Sequence, residues 1–158
     1  MVRWIRGTVI GIFVGLLGVW VAPPARAADA VLEAEVRRGF EEILDLWRDG
    51  RYDDLYARTR PGGKITRESF RARLAAAPLR PACCWEKLQE VTVRVSGSRK
   101  ATLHAKVGLE GGVEVEYKTR SFTLEQDGGV WRVAPGDLLA LAEAKGKVKR
   151  RGPTVHTP

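Results

Sequence analysis

Val91-Thr92-Val93-Arg94-Val95-Ser96-Gly97-Ser98, with Lys100-Ala101-Thr102-Leu103-His104-Ala105-Lys106-Val107-Gly108-Leu109 close behind, alternates apolar and polar side chains on both sides of a short turn. Successive side chains of a strand point to opposite faces, so Val91, Val93 and Val95 share a buried face with Ala101, Leu103, Ala105, Val107 and Leu109. Ser96-Gly97-Ser98 is the turn between them. The pair is an antiparallel hairpin with one dry face and one wet face.

Downstream, Gly111-Gly112 turns the chain into a longer strand whose apolar phase changes. Val113, Val115 and Tyr117 hold odd positions, whereas Phe122 and Leu124 hold even ones. A bulge near Thr119 to Ser121 would return both halves to one face and bend the strand, which predicts a curved sheet. Asp127-Gly128-Gly129 makes the next hairpin, into Val130 to Ala134, and Pro135-Gly136 leads to a short helix from Asp137 to about Ala144.

Upstream of Pro81 the period is helical. Leu32, Val36, Phe40, Ile43 and Trp47 draw one stripe on a helix with Asp29 as its expected N-cap and Gly50 as its stop. Arg51 to Arg58 carries Tyr52, Leu55 and Tyr56 at helical spacing and is closed by Pro61-Gly62-Gly63. Thr66 caps a third helix with Ile65, Phe70 and Leu74 on its apolar side, running through Ala77 to Pro78. Segregated elements and short turns predict an α+β domain: three N-terminal helices packed on a curved four-stranded antiparallel sheet, with a short C-terminal helix.

This order, together with Gly50-Arg51-Tyr52-Asp53-Asp54-Leu55-Tyr56 after the first helix and Asp127-Gly128-Gly129-Val130-Trp131-Arg132-Val133 near the end, resembles the nuclear transport factor 2-like superfamily over roughly residues 30 to 143. A cystatin-like sheet wrapped on one helix is the nearest competitor. The resemblance implies a cone in which bent sheet and helices enclose an apolar pocket, often with dimerisation through the sheet. The superfamily includes isomerases, dehydratases, polyketide cyclases and transport adaptors, so fold alone selects no function.

Residues 1–27 have the pattern of a secretory signal peptide. Arg3 and Arg6 precede an uncharged apolar run from Gly7 to Val21, Pro23-Pro24 ends it, and Ala25-Arg26-Ala27 places small residues where a signal peptidase reads them. Cleavage before Ala28 is expected. An uncleaved anchor competes, but the run falls short of the roughly 17 to 25 apolar residues of a spanning helix. With no cysteine after the run and no arginine pair before it, the general secretory route to the periplasm or the exterior is the expectation.

The formal charge of +8 points to a polyanion binder until the charges are placed. Arg3, Arg6 and Arg26 lie in the leader, Lys145, Lys147, Lys149, Arg150 and Arg151 in the tail, and neither segment holds an acid, so residues 28–144 are neutral. A neutral exported domain is not expected to bind nucleic acid. The tail, 145–158, reads as a disordered basic end, with anionic envelope surfaces as its sharper alternative.

Candidate chemistry is sparse. His104, the lone histidine of residues 28–144, falls on the polar face of its strand. Asp53 and Asp54 lie on a short exposed helix, and Glu114 and Glu116 alternate with the apolar face of theirs. Metal-ligand spacing, a phosphate loop and a nucleophile elbow are all missing from the sequence, so no metal and no cofactor are expected. Trp47, Tyr52, Tyr56, Tyr117 and Trp131 are the ligand-binding candidates, with core filling as their alternative. Cys83 and Cys84 are the redox candidates. Neighbouring α-carbons are about 3.8 Å apart, below the separation disulfides prefer. Three states follow, in order: buried thiols beside Trp85, a vicinal ring, and a bridge to another chain.

The leading expectation is an extracytoplasmic binding or interaction domain without catalysis, using its pocket or its outer sheet face. Its partners would be a small apolar ligand or a second copy through the sheet. The alternative is a pocket enzyme of isomerase or dehydratase type acting on an apolar substrate. A thiol redox role through Cys83 and Cys84 is the third.

Overall fold

The structure is a computed structural model in which residues 25–61, 64–112 and 114–143 are described. The segment expected to be a signal peptide, residues 1–27, lies outside them except for helical backbone at residues 25–27, and the basic segment from residue 145 lies outside them entirely. Among the described residues no helix is long and apolar enough to cross a membrane.

The chain is α+β. In order it forms α1 (Ala25–Arg48), α2 (Tyr52–Ala57), α3 (Arg67–Ala75), β1 (Arg80–Pro81), a single 3-10 turn (Cys84–Glu86), β2 (Leu88–Val95), β3 (Lys100–Glu110), β4 (Glu116–Asp127), β5 (Val130–Val133) and α4 (Pro135–Ala142). Asp29 is not the cap of α1, because the helix already runs through it. The predicted stripe is real: Val36, Phe40, Ile43 and Trp47 are fully buried. At the far end of α1 the Gly50 amide reaches back to the Trp47 carbonyl and the Arg51 amide to the Leu46 carbonyl, which satisfies the last turn. Thr66 caps α3 as expected, its hydroxyl accepting from the Ser69 amide at 3.2 Å.

The sheet is antiparallel, with β3 at its centre. Its face toward the helices carries Ala101, Leu103, Ala105, Val107 and Leu109 of β3, all fully buried, against Phe40, Ile43 and Trp47 of α1. Gly128 and Gly129, with φ of +57° and +79°, form a two-residue turn between β4 and β5 of the kind whose twist matches the strands it joins. A connection the sequence did not announce closes that side. The Arg60 amide donates to the Val133 carbonyl and the Val133 amide to the Arg58 carbonyl, so residues 58–60 run parallel beside β5 and cover its edge.

One expectation about the sheet is corrected and another refined. The predicted bulge at Thr119 to Ser121 is absent: β3 and β4 pair through ten consecutive residues without a shift, from Lys100 with Glu125 to Leu109 with Glu116. The irregularity lies instead in β2, between Gln89 and Thr92, where Glu90 takes φ +51°. The change of apolar phase in β4 needs no bulge because Tyr117 faces outward, its ring covered by the Lys106 ammonium at 4.8 Å from the centroid. Lys118, not Tyr117, turns inward.

The refinement concerns the strand count: the four predicted strands are β2 to β5, and β1 is a fifth strand of two residues. One edge of the sheet is a broken strand: β1 pairs with the end of β3 and β2 with the rest of it. Both pieces meet β3 at Gly108, whose carbonyl accepts from the Ala82 amide at 2.9 Å and whose amide donates to the Lys87 carbonyl at 3.2 Å. Residues 83–86 therefore leave the edge and return opposite a single residue. A Cβ on Gly108 would overlap the Glu86 carbonyl, so glycine is what lets this excursion sit against the sheet. Gly108→Ala is expected to lower stability by about 1–3 kcal/mol, read as a lower urea midpoint at unchanged slope. An unchanged midpoint would show that the excursion does not rest on Gly108.

Candidate functional site

The five aromatic candidates do not line one cavity. Trp47 is fully buried and Trp131 is 3% exposed. Neither indole Nε1–H finds a hydrogen-bond partner, so both rings serve by filling volume. Trp131 packs on α1 so closely that a Cβ on Gly39 would come within 3.0 Å of its own Cβ. Tyr56 is half-buried, its ring 5.5 Å from that of Phe70 and its hydroxyl donating to the Ile65 carbonyl at 3.0 Å. Tyr52 sits at the edge of a cleft shared with Asp53, Asp54 and Arg71, and Tyr117 is on the opposite side of the sheet from Trp47. With the rings of Phe40 and Phe122 packed 4.6 Å apart at a tilt of 36°, the space between α1 and the sheet is filled by side chains of this chain.

The acids and the histidine stand where the sequence puts them, with one exception. Asp53 and Asp54 are exposed on α2; Asp54 pairs with Arg51 at 2.7 Å, and Asp53 lies 3.9 Å from Arg71. His104 is exposed on the outer sheet face, its Nδ1 3.0 Å from the Ser121 hydroxyl, in a cleft of about 310 Å³ with Thr92, Arg94 and Thr102. Glu116 is the exception. Unbroken pairing with β3 places it, Lys118 and Arg120 on the inner face, beyond the aliphatic part. The Lys118 ammonium is nearly buried and donates to the carbonyls of Leu141, at 2.8 Å, and Glu143, while Glu116 lies 3.9 Å from it. A cation thus closes the C-terminus of α4, where the helix dipole and unpaired carbonyls favour it.

The larger clefts are at the surface and charged. One, of about 460 Å³, lies between the β4–β5 hairpin and the chain after α2 and is rimmed by Arg60, Arg99, Arg132, Glu125 and Asp127. Arg60 pairs with Glu125 at 2.8 Å and Arg132 with Asp127 at 3.3 Å. A second, of about 440 Å³, lies across Gln126 from the first, between the same hairpin and α1, and holds Arg38, Glu42, Arg58 and the edge of Trp131. Such linings suit polar and charged groups of a partner more than an apolar ligand. Among the described residues no cluster of histidine, cysteine, aspartate or glutamate is placed to hold a metal ion.

Cys83 and Cys84 are joined in a vicinal disulfide, with Cα atoms 3.7 Å apart. The expectation of buried thiols is thereby overturned, and so is their shelter: Cys84 is exposed, Cys83 half-buried, and Trp85 is 73% exposed. The signal missed in the sequence was Gly108, a glycine inside a strand of regular alternation, which marks the close approach of another backbone.

Compared with known proteins, the chain matches no family model and no curated sequence.

The inward Lys118 gives a direct test of the closure of α4. Lys118→Met keeps the apolar stem and removes the ammonium, and is expected to cost about 1.5–3 kcal/mol, the usual worth of charged hydrogen bonds. Amide exchange at Leu139 to Ala142 should rise selectively. Unaltered exchange there would show that α4 is held by its leucines alone.

Proposed function

We propose that this chain is a non-catalytic binding or interaction domain of the nuclear transport factor 2-like type, working outside the cytoplasm and recognising its partner at its surface. The observation that carries this reading is the filled interior. In a pocket enzyme of this architecture a base must project into a cavity beside the substrate. Here Trp47, Phe40, Phe122 and Trp131 take up that space, and His104 faces the other way. The element order and the curled antiparallel sheet support the superfamily assignment.

Recognition then falls to the charged clefts flanking the β4–β5 hairpin, where guanidinium and carboxylate groups of β4 and β5 gather with those of α1, Arg99 and residues 58–60. Groups of both signs on one rim favour a polar partner of mixed charge and discriminate by electrostatic complementarity. A small apolar ligand, one of the expected partners, is matched less well than a polar one by clefts rimmed with charge.

An apolar reporter dye separates the two readings. Anilinonaphthalene sulfonate titrated into the native protein is expected to keep its weak free fluorescence, because a packed interior leaves no apolar cavity for it. Saturable, stoichiometric enhancement with the fold intact would restore the pocket and, with it, the enzyme.

A further inference from the structure

The excursion at residues 83–86 contributes no fully buried side chain to the core, yet it holds both cysteines of the chain and, among the described residues, the most exposed large apolar side chain. Its base is firm. Ala82 and Lys87 are pinned to Gly108, and the Lys87 ammonium binds both carboxylate oxygens of Asp45 on α1, at 2.6 and 2.7 Å. The ring is thus presented outward from a rigid edge, at the break between β1 and β2.

Stability does not explain a bond at this place. A cross-link stabilises chiefly by restricting the unfolded chain, and the effect grows with the loop it closes. Neighbouring residues close the smallest loop there is. An exposed disulfide is, in contrast, open to thiol–disulfide exchange, and exposed bridges are the labile ones.

We propose that Cys83–Cys84 is a reversible two-electron redox couple, exchanged with a dithiol protein that docks against Trp85. The partner's thiolate attacks Sγ of Cys84, the exposed member. The Cys83–Cys84 bond breaks as the mixed disulfide forms, and the Cys83 thiolate leaves and takes up a proton. The partner's second thiolate then attacks its own bridged sulfur, releasing Cys84 as a thiolate that takes up the second proton. Two electrons have passed to this chain, and the partner is left as a disulfide that can run the exchange backwards. Trp85 supplies the contact: a projecting indole is the side chain that most often anchors an interface, and a single one suits a brief encounter.

This inference stands on the excursion alone and is independent of the binding role at the hairpin clefts. It is tested on the full chain in its oxidised form, with reduced thioredoxin as the dithiol protein and dithiothreitol as the small dithiol. Progress is read by alkylation and intact mass. The expected result is two alkylated cysteines per monomer, an unchanged far-ultraviolet circular dichroism spectrum, and reversal by oxidised thioredoxin. Trp85→Ala should slow the reaction with thioredoxin by about tenfold while leaving the dithiothreitol rate within about twofold. A native protein that neither dithiol reduces would overturn the proposal, as would loss of the fold on reduction. Equal slowing with both reductants would overturn the docking role of Trp85.

Discussion

The unbroken ladder between β3 and β4 is the constraint on which the rest of the molecule depends. Ten consecutive pairs fix one register, and one register fixes which side of β4 faces the helices. Phe122 and Leu124 then join Leu103 and Val107 under α1. The same register drives Glu116, Lys118 and Arg120 inward where the aliphatic part ends, and α4 folds its C-terminus onto Lys118. The half of the strand that cannot be buried as hydrocarbon is used to hold a helix end.

The filled interior and the charged rim follow from the same arrangement. Trp47 and Trp131 reach the core from opposite sides, one on α1 and one on β5, and together with Phe40 and Phe122 they leave the helices and sheet in direct contact. Because α1 crosses the inner face so closely, the remaining concavities lie where elements end: at the β4–β5 hairpin and the chain after α2. Segment ends are rich in arginine and carboxylate here, so those concavities are charged.

Much of this architecture was legible in the sequence, and the misses have physical causes. The helical stripe of α1, the cap at Thr66 and the alternation of β3 are local signals, and burial on one face makes them unambiguous. Tyr117 misled because an amphipathic ring can lie on a wet face when an ammonium covers it, as Lys106 does. Counting it as inward created a bulge where there is none. The true irregularity, at Glu90, uses a positive φ on a residue that gives no warning of it. The aromatic candidates failed as a group because one-dimensional spacing cannot tell a ring lining a cavity from one plugging it. The excursion at Cys83 depends on a glycine in another strand, more than twenty positions away.

Cross-strand proton contacts in the nuclear magnetic resonance spectrum test the register most directly. The structure predicts contacts for the facing pairs His104 with Ser121, Lys106 with Thr119 and Gly108 with Tyr117, in one continuous series. A series that breaks between residues 119 and 121, with Tyr117 against the helices, would contradict the inward Lys118 and everything built on it.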